Sequence, residues 1–232
     1  MHERLGQYHQ ASRDPAVIVL LVLPIFLLYG LGQISASPSA LAGVDFLSPY
    51  LRHHFGSQVF ILVQVGLALA GLIFALYRLR REFFSRTVTA LPAIAESIAY
   101  ALMLGTVVLY LMDQASLLSI NGTGTSTIDR WVGSAGAALH EELLFRLLLI
   151  PLLLAIGVRL LAMPQSVAVL FAIIGSSLLF AGAHHWAGET YTDYAFGYRT
   201  VAGGLFAVLQ LTRGFAVAVW THASYDFYVT GL

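Results

Sequence analysis

The fold of this chain is decided by residues 132–156, which read VGSAGAALHEELLFRLLLIPLLLAI. An α-helix of about 20 apolar residues crosses the ~30 Å hydrocarbon core of a bilayer, and this block is longer than that. The block nevertheless contains Glu141, Glu142 and Arg146. Each of these charges costs about 2.5–3.5 kcal/mol at the middle of a membrane helix, so the helix cannot simply face lipid. The block therefore predicts a transmembrane helix that brings a polar site into a bundle.

The composition of the whole chain agrees with a membrane protein. Of its 232 residues, 58% are hydrophobic and 10% are charged, whereas about 25% of the residues in a soluble domain are charged. So much apolar surface cannot be buried inside a soluble globule of this size. A soluble enzyme, a nucleic-acid-binding protein and a disordered protein are therefore excluded. The chain has no cysteine, which excludes disulfides and cysteine-ligated metals.

Seven apolar blocks predict an all-α, polytopic transmembrane helix bundle of about seven spans, with a polar cavity inside the membrane. Helices are expected because lipid cannot satisfy an open backbone. The sixth block has twelve residues, which rise only about 18 Å. It is predicted to be tilted, to begin near Tyr194, or to be half a span. The blocks are Ala16–Leu31, Val59–Leu76, Ile94–Leu111, Val132–Ile156, Val167–Ala183, Thr200–Leu211 and Phe215–Val229.

The arginines indicate which way the spans run. If the N-terminus lies in the cytoplasm, the arginines next to the blocks fall on the cytoplasmic side, and the other loops carry no net positive excess. The first block resembles a signal peptide but is long for one, so we expect a retained span. We expect an integral protein of a prokaryotic cell (inner) membrane with a cytoplasmic N-terminus. The cytoplasmic arginines are Arg4, Arg13, Arg78, Arg80, Arg81, Arg86, Arg159 and Arg213.

The charged residues of the fourth block have two interpretations. Glu142 and Arg146 are four residues apart with the acid first, which is the favourable order for an ion pair on a helix. Glu141 lies about 100° around the helix from that pair, so it needs another partner. The pair taken alone is typical of a structural contact that holds a bundle together, whereas the three charges together indicate a site.

The fifth and seventh blocks repeat the four-residue spacing. Phe180 and His184 share one helix face, and His222 and Asp226 share another. Counting residues from the ends of the spans places these groups and Glu141 in the same, outer half of the bilayer, provided that the sixth block crosses. Each pair also has a structural interpretation, because histidines are common at helix ends and a His–Asp hydrogen bond can fix helix packing.

A carboxylate, two imidazoles and an aspartate in a partly wet membrane cavity suit the activation of water. The glutamate can act as a general base, and an imidazole can share the water, protonate a leaving amine or stabilise an oxyanion. The same four side chains could ligate a divalent metal, so carboxylate-activated and metal-activated water both stay open. Glu96 is expected to line the same cavity or to sit at an interface, and Arg199 to anchor substrate or lipid headgroups.

The three motifs resemble those of the CAAX protease and bacteriocin-processing (CPBP, or Abi) family of intramembrane proteases. In chain order they are Glu141-Glu142-x-x-x-Arg146, Phe180-x-x-x-His184 and His222-x-x-x-Asp226, with Gly203-Gly204-Leu205-Phe206 between the last two. The resemblance begins near Trp131. It divides the chain into residues 1–130, which hold about three N-terminal transmembrane helices without a recognised motif, and residues 131–232, a CPBP-like catalytic core.

The resemblance implies an intramembrane endopeptidase that hydrolyses a peptide bond of a membrane-associated or exported protein. It implies a glutamic-type mechanism without a cofactor; a divalent metal held by His184, His222 and Glu141 is the alternative. An ionised Asp226 would repel an oxyanion, so we expect it to be protonated or to orient His222 as a cation. The implied roles are water activation for Glu141 with His184, the oxyanion side for His222 and Asp226, and structural support for Glu142, Arg146 and Phe180.

Two other classes of function use the same residues. A non-catalytic peptide-binding or bacteriocin-immunity protein would hold a peptide with the polar groups, and a transporter would use them as a proton relay. The small number of spans and the absence of a repeat argue against a transporter. The expected partners are the lipid bilayer and a membrane-anchored protein or peptide substrate, with no nucleic acid.

Overall fold

The computed structural model describes residues 2–35, 45, 47–114, 126–186 and 190–231. Every regular element in these residues is helical, which confirms the all-α prediction. A 3-10 turn, Arg80–Glu82, joins α3 to α4, and two π-helical segments, Glu142–Leu149 and Ile156–Leu160, flank α7. The α-helices are α1 (His2–Ser12), α2 (Pro15–Gly32), α3 (Leu47–Leu79), α4 (Phe83–Ala90), α5 (Pro92–Gln114), α6 (Thr127–Glu141), α7 (Ile150–Ala155), α8 (Gln165–Trp186), α9 (Asp193–Arg213) and α10 (Phe215–Gly231).

Four stretches of the described residues are helical, long and apolar enough to cross a membrane: Pro15–Gly32, Ser48–Val108, Thr127–Leu160 and Gln165–Trp186. The second stretch is 61 residues long and includes the second predicted span and all but the last three residues of the third. The remaining two predicted spans lie in α9 and α10, so each of the seven apolar blocks lies in helical structure. A helical membrane bundle is thereby confirmed.

The helix that contains the sixth apolar block is longer than that block. α9 has 21 residues, which rise about 31 Å and match the thickness of the hydrocarbon core. Its cap is Thr192, whose hydroxyl accepts a hydrogen bond from the Ala195 amide at 3.0 Å. The helix therefore begins in a polar and aromatic stretch next to Tyr194, where one of the three expectations placed its start. It is not among the four stretches that are apolar enough to cross a membrane, so a full crossing by the sixth block stays a prediction.

α10 is the central helix of the bundle. It packs against α2, α5, α6 and α9, and four of its apolar residues have no exposed surface: Val217, Ala218, Val219 and Ala223. Most of these side chains are small, which allows neighbouring backbones to approach closely. The third sequence motif, on α10, is consequently surrounded by the elements that carry the first motif and the Gly203–Phe206 segment.

Candidate active site

The two glutamates of the first motif lie where α6 changes into the π-helical segment Glu142–Leu149. A π-helix has more residues per turn than an α-helix, so consecutive side chains diverge by a smaller angle. Both carboxylates point into the bundle: Glu141 is 3% exposed and Glu142 is 0% exposed. Short π-helical segments are frequent at functional sites.

Glu141 is shared by imidazoles from two other helices. Its Oε1 atom lies 3.3 Å from Nε2 of His184, near the end of α8. Its Oε2 atom lies 3.7 Å from Nε2 of His222, in α10. Three stretches that are distant along the chain thus bring one acid and two bases together. Both separations exceed the usual hydrogen-bond length of about 2.9 Å, so Glu141 contacts the two imidazoles without a short hydrogen bond to either.

The other ring nitrogens of the two histidines are held by the protein. Nδ1 of His184 lies 2.8 Å from the carbonyl oxygen of Phe180. Nδ1 of His222 lies 2.8 Å from Oε1 of Glu142. Carbonyl and carboxylate oxygens accept hydrogen bonds, so each Nδ1 carries the proton that it donates. Both Nε2 atoms are therefore the ones presented to Glu141.

Asp226 lies on the open side of this group. Its Oδ2 atom is 3.6 Å from Nε2 of His222, and its side chain is 25% exposed, compared with 5% for that of His222. His222 thus faces three carboxylates, two through Nε2 and one through Nδ1. We call Glu141, Glu142, His184, His222 and Asp226 the acid–imidazole cluster.

Arg146 is buried next to Glu142 and helps to hold the cluster in place. Its Nε atom lies 3.4 Å from Oε2 of Glu142, and its Nη2 atom donates to the carbonyl oxygen of Gly203 at 3.2 Å. The guanidinium carbon lies 4.4 Å from the ring centre of Phe180, a cation–π contact that compensates part of the desolvation of a buried cation. Glu142 therefore connects two charges, because it accepts from His222 on one side and faces Arg146 on the other.

α9 contributes a stripe of residues that the motif spacings left without a role. Gly203 accepts the hydrogen bond from Arg146, and the ring of Phe206 stacks on His222 with centroids 4.5 Å apart and an angle of 14°. A Cβ at Gly203 would come within 3.1 Å of Phe180 and 3.3 Å of the Ser177 backbone, so this close approach needs glycine. Arg199 lies one turn earlier on the same stripe, because the spacing 199, 203 and 206 keeps one helix face.

Tyr198 and Tyr225 form a second contact between α9 and α10, through their hydroxyl groups. Tyr225 is next to Asp226 in the chain, so this hydrogen bond joins the two helices beside the open side of the cluster. The sequence carried a weak signal for these residues, namely the polar and aromatic composition of the start of α9. That signal is ambiguous because tyrosines are also enriched at membrane interfaces.

Glu96 lies in a different place from the acid–imidazole cluster. It forms a two-pronged ion pair with Arg213, in which Oε1 lies 2.5 Å from Nε and Oε2 lies 2.6 Å from Nη2. Tyr8 donates to the same carboxylate, and Arg213 also donates to Nδ1 of His9 at 2.5 Å. We call Tyr8, His9, Glu96 and Arg213 the N-terminal network. Of the two expectations for Glu96, a place in the cavity is wrong.

The predicted alternative metal ligands, His184, His222 and Glu141, are neighbours. Within the described part of the chain, no group of three or more His, Asp or Glu side chains has the arrangement of a metal site. The two Nε2 atoms that face Glu141 are also the atoms through which the histidines would ligate a metal. The sensitivity of cleavage to a chelator distinguishes the two mechanisms.

The fold and this cluster define a class: a helical integral membrane protein with an acid and two histidines buried among its helices. Residues 124–228 match the family described as type II CAAX prenyl endopeptidase Rce1-like, which is the CPBP family. This match agrees with the resemblance that the three motifs predicted, and that family is one of CAAX-type intramembrane proteases. The comparison with curated proteins gives no match, and neither does the comparison with solved structures.

Proposed function

We propose that this protein is a glutamic-type intramembrane endopeptidase that hydrolyses a peptide bond of a membrane-associated or exported protein. The observation that supports this most strongly is the position of Glu141 between the Nε2 atoms of His184 and His222, at 3.3 and 3.7 Å. A buried carboxylate in contact with two imidazoles suits a general base acting on one water molecule.

In the proposed reaction, Glu141 and His184 hold the water. Glu141 takes a proton as the water oxygen attacks the carbonyl carbon of the substrate. The carbonyl oxygen becomes an oxyanion, and the carbon–nitrogen bond then breaks. The proton taken from water passes to the departing amine, with His184 as the relay, because its Nδ1 is occupied by Phe180 and its Nε2 faces Glu141.

His222 is proposed to stabilise the oxyanion. Nδ1 already donates to Glu142, so a donor at Nε2 makes the ring an imidazolium. The surrounding carboxylates favour that cation, and Asp226 acts on it from the open side. A preorganised donor in a water-poor site of this kind is worth about 10²–10³ in rate in other enzymes.

Glu142, Arg146 and Phe180 are proposed as positioning residues. Glu142 holds His222 through its Nδ1–H, and Arg146 compensates the charge of Glu142. Arg146 also donates to Gly203 on α9, so one buried cation links the first motif to the helix that stacks on His222. Within the division proposed for the chain, residues 131–232 supply the catalytic core and residues 1–130 the helices that enclose it.

The topology suggests the source of the substrate. With a cytoplasmic N-terminus in the inner membrane of a prokaryote, α8 and α10 run outward, and the cluster lies in the outer half of the bilayer. Asp226, its most exposed member, then opens toward the exterior, which suits an exported, membrane-anchored protein. Reporter fusions at residue 232 should report an external C-terminus, and a cytoplasmic C-terminus would contradict this arrangement.

The decisive test is cleavage of a candidate membrane-anchored peptide by the purified protein, with and without a chelator. We expect cleavage that persists in the chelator and is lost in Glu141→Gln and His184→Ala. Chelator-sensitive cleavage would instead support metal-activated water. A peptide-binding or immunity protein would bind without cleaving, and it would keep most of its binding in Glu141→Gln.

A further inference from the structure

A basic cleft lies apart from the acid–imidazole cluster, where α3 ends and α4 begins. It has a volume of about 470 Å³. Its walls come from the end of α3, the 3-10 turn, α4, and the junction between α1 and α2. The lining residues are Asp14, Arg78, Leu79, Arg80, Arg81, Glu82 and Arg86.

Both acidic residues of the cleft pair with the same arginine. Arg86 takes both carboxylates: it lies 3.1 Å from Oδ2 of Asp14 and also pairs with Glu82. Across the described residues, neither Arg78 nor Arg81 forms an ion pair, and the guanidinium of Arg80 rests on the ring of Tyr77 at 5.1 Å. The cleft thus presents three cations whose charge no carboxylate of these residues balances.

The backbone is bent in a way that gathers these arginines. Arg80 has φ of 46°, a left-handed conformation that residues other than glycine rarely adopt. The turn there separates α3 from α4 and puts Arg78, Arg80 and Arg81 around one opening. Conformations of this kind persist where the surroundings enforce them, and they concentrate at binding and catalytic sites.

With the N-terminus in the cytoplasm, the cleft is expected at the level of lipid headgroups. It directly follows the apolar surface of α3, and the neighbouring large side chains are strongly exposed, with Tyr77 at 70%, Phe84 at 79% and Val88 at 62%. Phe84 and Val88 are four residues apart on α4, so they share one face that can enter the membrane surface. Phosphate is the anion found at this depth, and guanidinium groups bind it through paired hydrogen bonds.

We propose that this cleft binds a phosphate group, with Arg78, Arg80 and Arg81 as the ligands, either in the headgroup of an anionic phospholipid or as free phosphate. Basic pockets at the cytoplasmic end of transmembrane helices are recognised sites for anionic headgroups. The cleft shares no residue with the acid–imidazole cluster, so the proposal stands apart from the protease function.

The test uses the full-length protein in detergent and native mass spectrometry, with phosphatidylglycerol and phosphatidylcholine as probes and inorganic phosphate as competitor. Each removed arginine should weaken phosphatidylglycerol binding about fivefold, the contribution expected of one such charge. Arg81→Gln is compared with Arg159→Gln, which removes one exposed arginine outside the cleft. The double variant that combines Arg78→Gln and Arg81→Gln should weaken phosphatidylglycerol binding roughly 25-fold.

Selective loss in the cleft variants, without competition by millimolar phosphate, supports a lipid headgroup as the ligand. Selective loss with full competition supports free phosphate. Equal losses in Arg81→Gln and Arg159→Gln, or equal binding of the two lipids, overturn the proposal. Thermal unfolding of each variant checks that it is folded, and peptide cleavage, measured separately, reports on the protease function whatever the lipid result.

Discussion

The acid–imidazole cluster and the N-terminal network are both groups of ionisable side chains from several helices, but they are built differently. In the N-terminal network one acid meets one arginine through two contacts of 2.5 and 2.6 Å. In the cluster one acid faces two imidazoles at 3.3 and 3.7 Å. The network has closed, matched pairs, which is how charges hold helices together. In the cluster, Glu141 lacks such a closely matched contact, which leaves its carboxylate available to a reacting molecule.

The two groups of side chains also differ in how firmly they hold their protons. Burial and the Glu96 carboxylate raise the pKa of Tyr8 to about 12, so this phenol stays a donor over the physiological range. The contact between Tyr8 and Glu96 therefore keeps one donor and one acceptor over this range. In the cluster, both Nε2 atoms face carboxylate oxygens, so protons can be redistributed among Glu141, His184 and His222 during a reaction.

The largest expected effect is that of Glu141→Gln. Loss of a general base costs roughly 10²–10⁴-fold in rate, and the isosteric amide should leave the fold intact. The measurement is single-turnover cleavage of a reconstituted peptide together with thermal unfolding. Glu96→Gln is the matched control and should show the reverse, with lower stability and unchanged cleavage per folded molecule. Equal cleavage by the two variants would remove the distinction between the two regions.

Arg146→Ala is expected to destabilise the protein by about 3–5 kcal/mol, because it leaves Glu142 buried without its counter-charge. The thermal unfolding midpoint in detergent measures this loss. Arg146→Lys should recover only part of it, since a lysine cannot reach Glu142, Gly203 and the Phe180 ring together. Full recovery by lysine would mean that charge alone is required at this position.

Arg213→Gln should cost about 1.5–3 kcal/mol, the value of hydrogen bonds between charged groups. The effect should be confined to stability, because the contacts of Arg213 lie within the N-terminal network and none of them is with a described residue of the cluster. Thermal unfolding and cleavage at a temperature where the variant is folded separate the two quantities. A large loss of turnover in folded Arg213→Gln would show that the two regions are coupled.

The smallest effect is expected between Arg199 and Asp226. Arg199 lies on the α9 stripe that faces the cluster and acts electrostatically on Asp226. Arg199→Gln should therefore slow cleavage more in the native chain than in an Asp226→Asn background, with a coupling energy of about 1 kcal/mol. A double-mutant cycle on the cleavage rate measures it. Equal effects in both backgrounds would mean that Arg199 does not act through Asp226.

Much of this arrangement could be predicted from the residues alone. The four-residue spacings placed Glu142 with Arg146, Phe180 with His184 and His222 with Asp226 on shared faces, since the α-helical period is fixed by backbone geometry. The order of the motifs led to the family that residues 124–228 match. The extent of α9 was only one of three expectations, because its first turns are polar and aromatic and a search for apolar blocks does not detect such a start.

The sequence by itself determined that the chain is a helical membrane protein and which side chains share a helix face, because both follow from local composition and periodicity. Only the tertiary structure decided which faces meet. Glu142 holds His222 as well as Arg146 because a π-helical segment turns both glutamates inward and α10 lies at the centre of the bundle. Glu96 lies in the N-terminal network because α1 and the end of α9 meet there. Such contacts join residues up to 204 positions apart, and no local pattern encodes them.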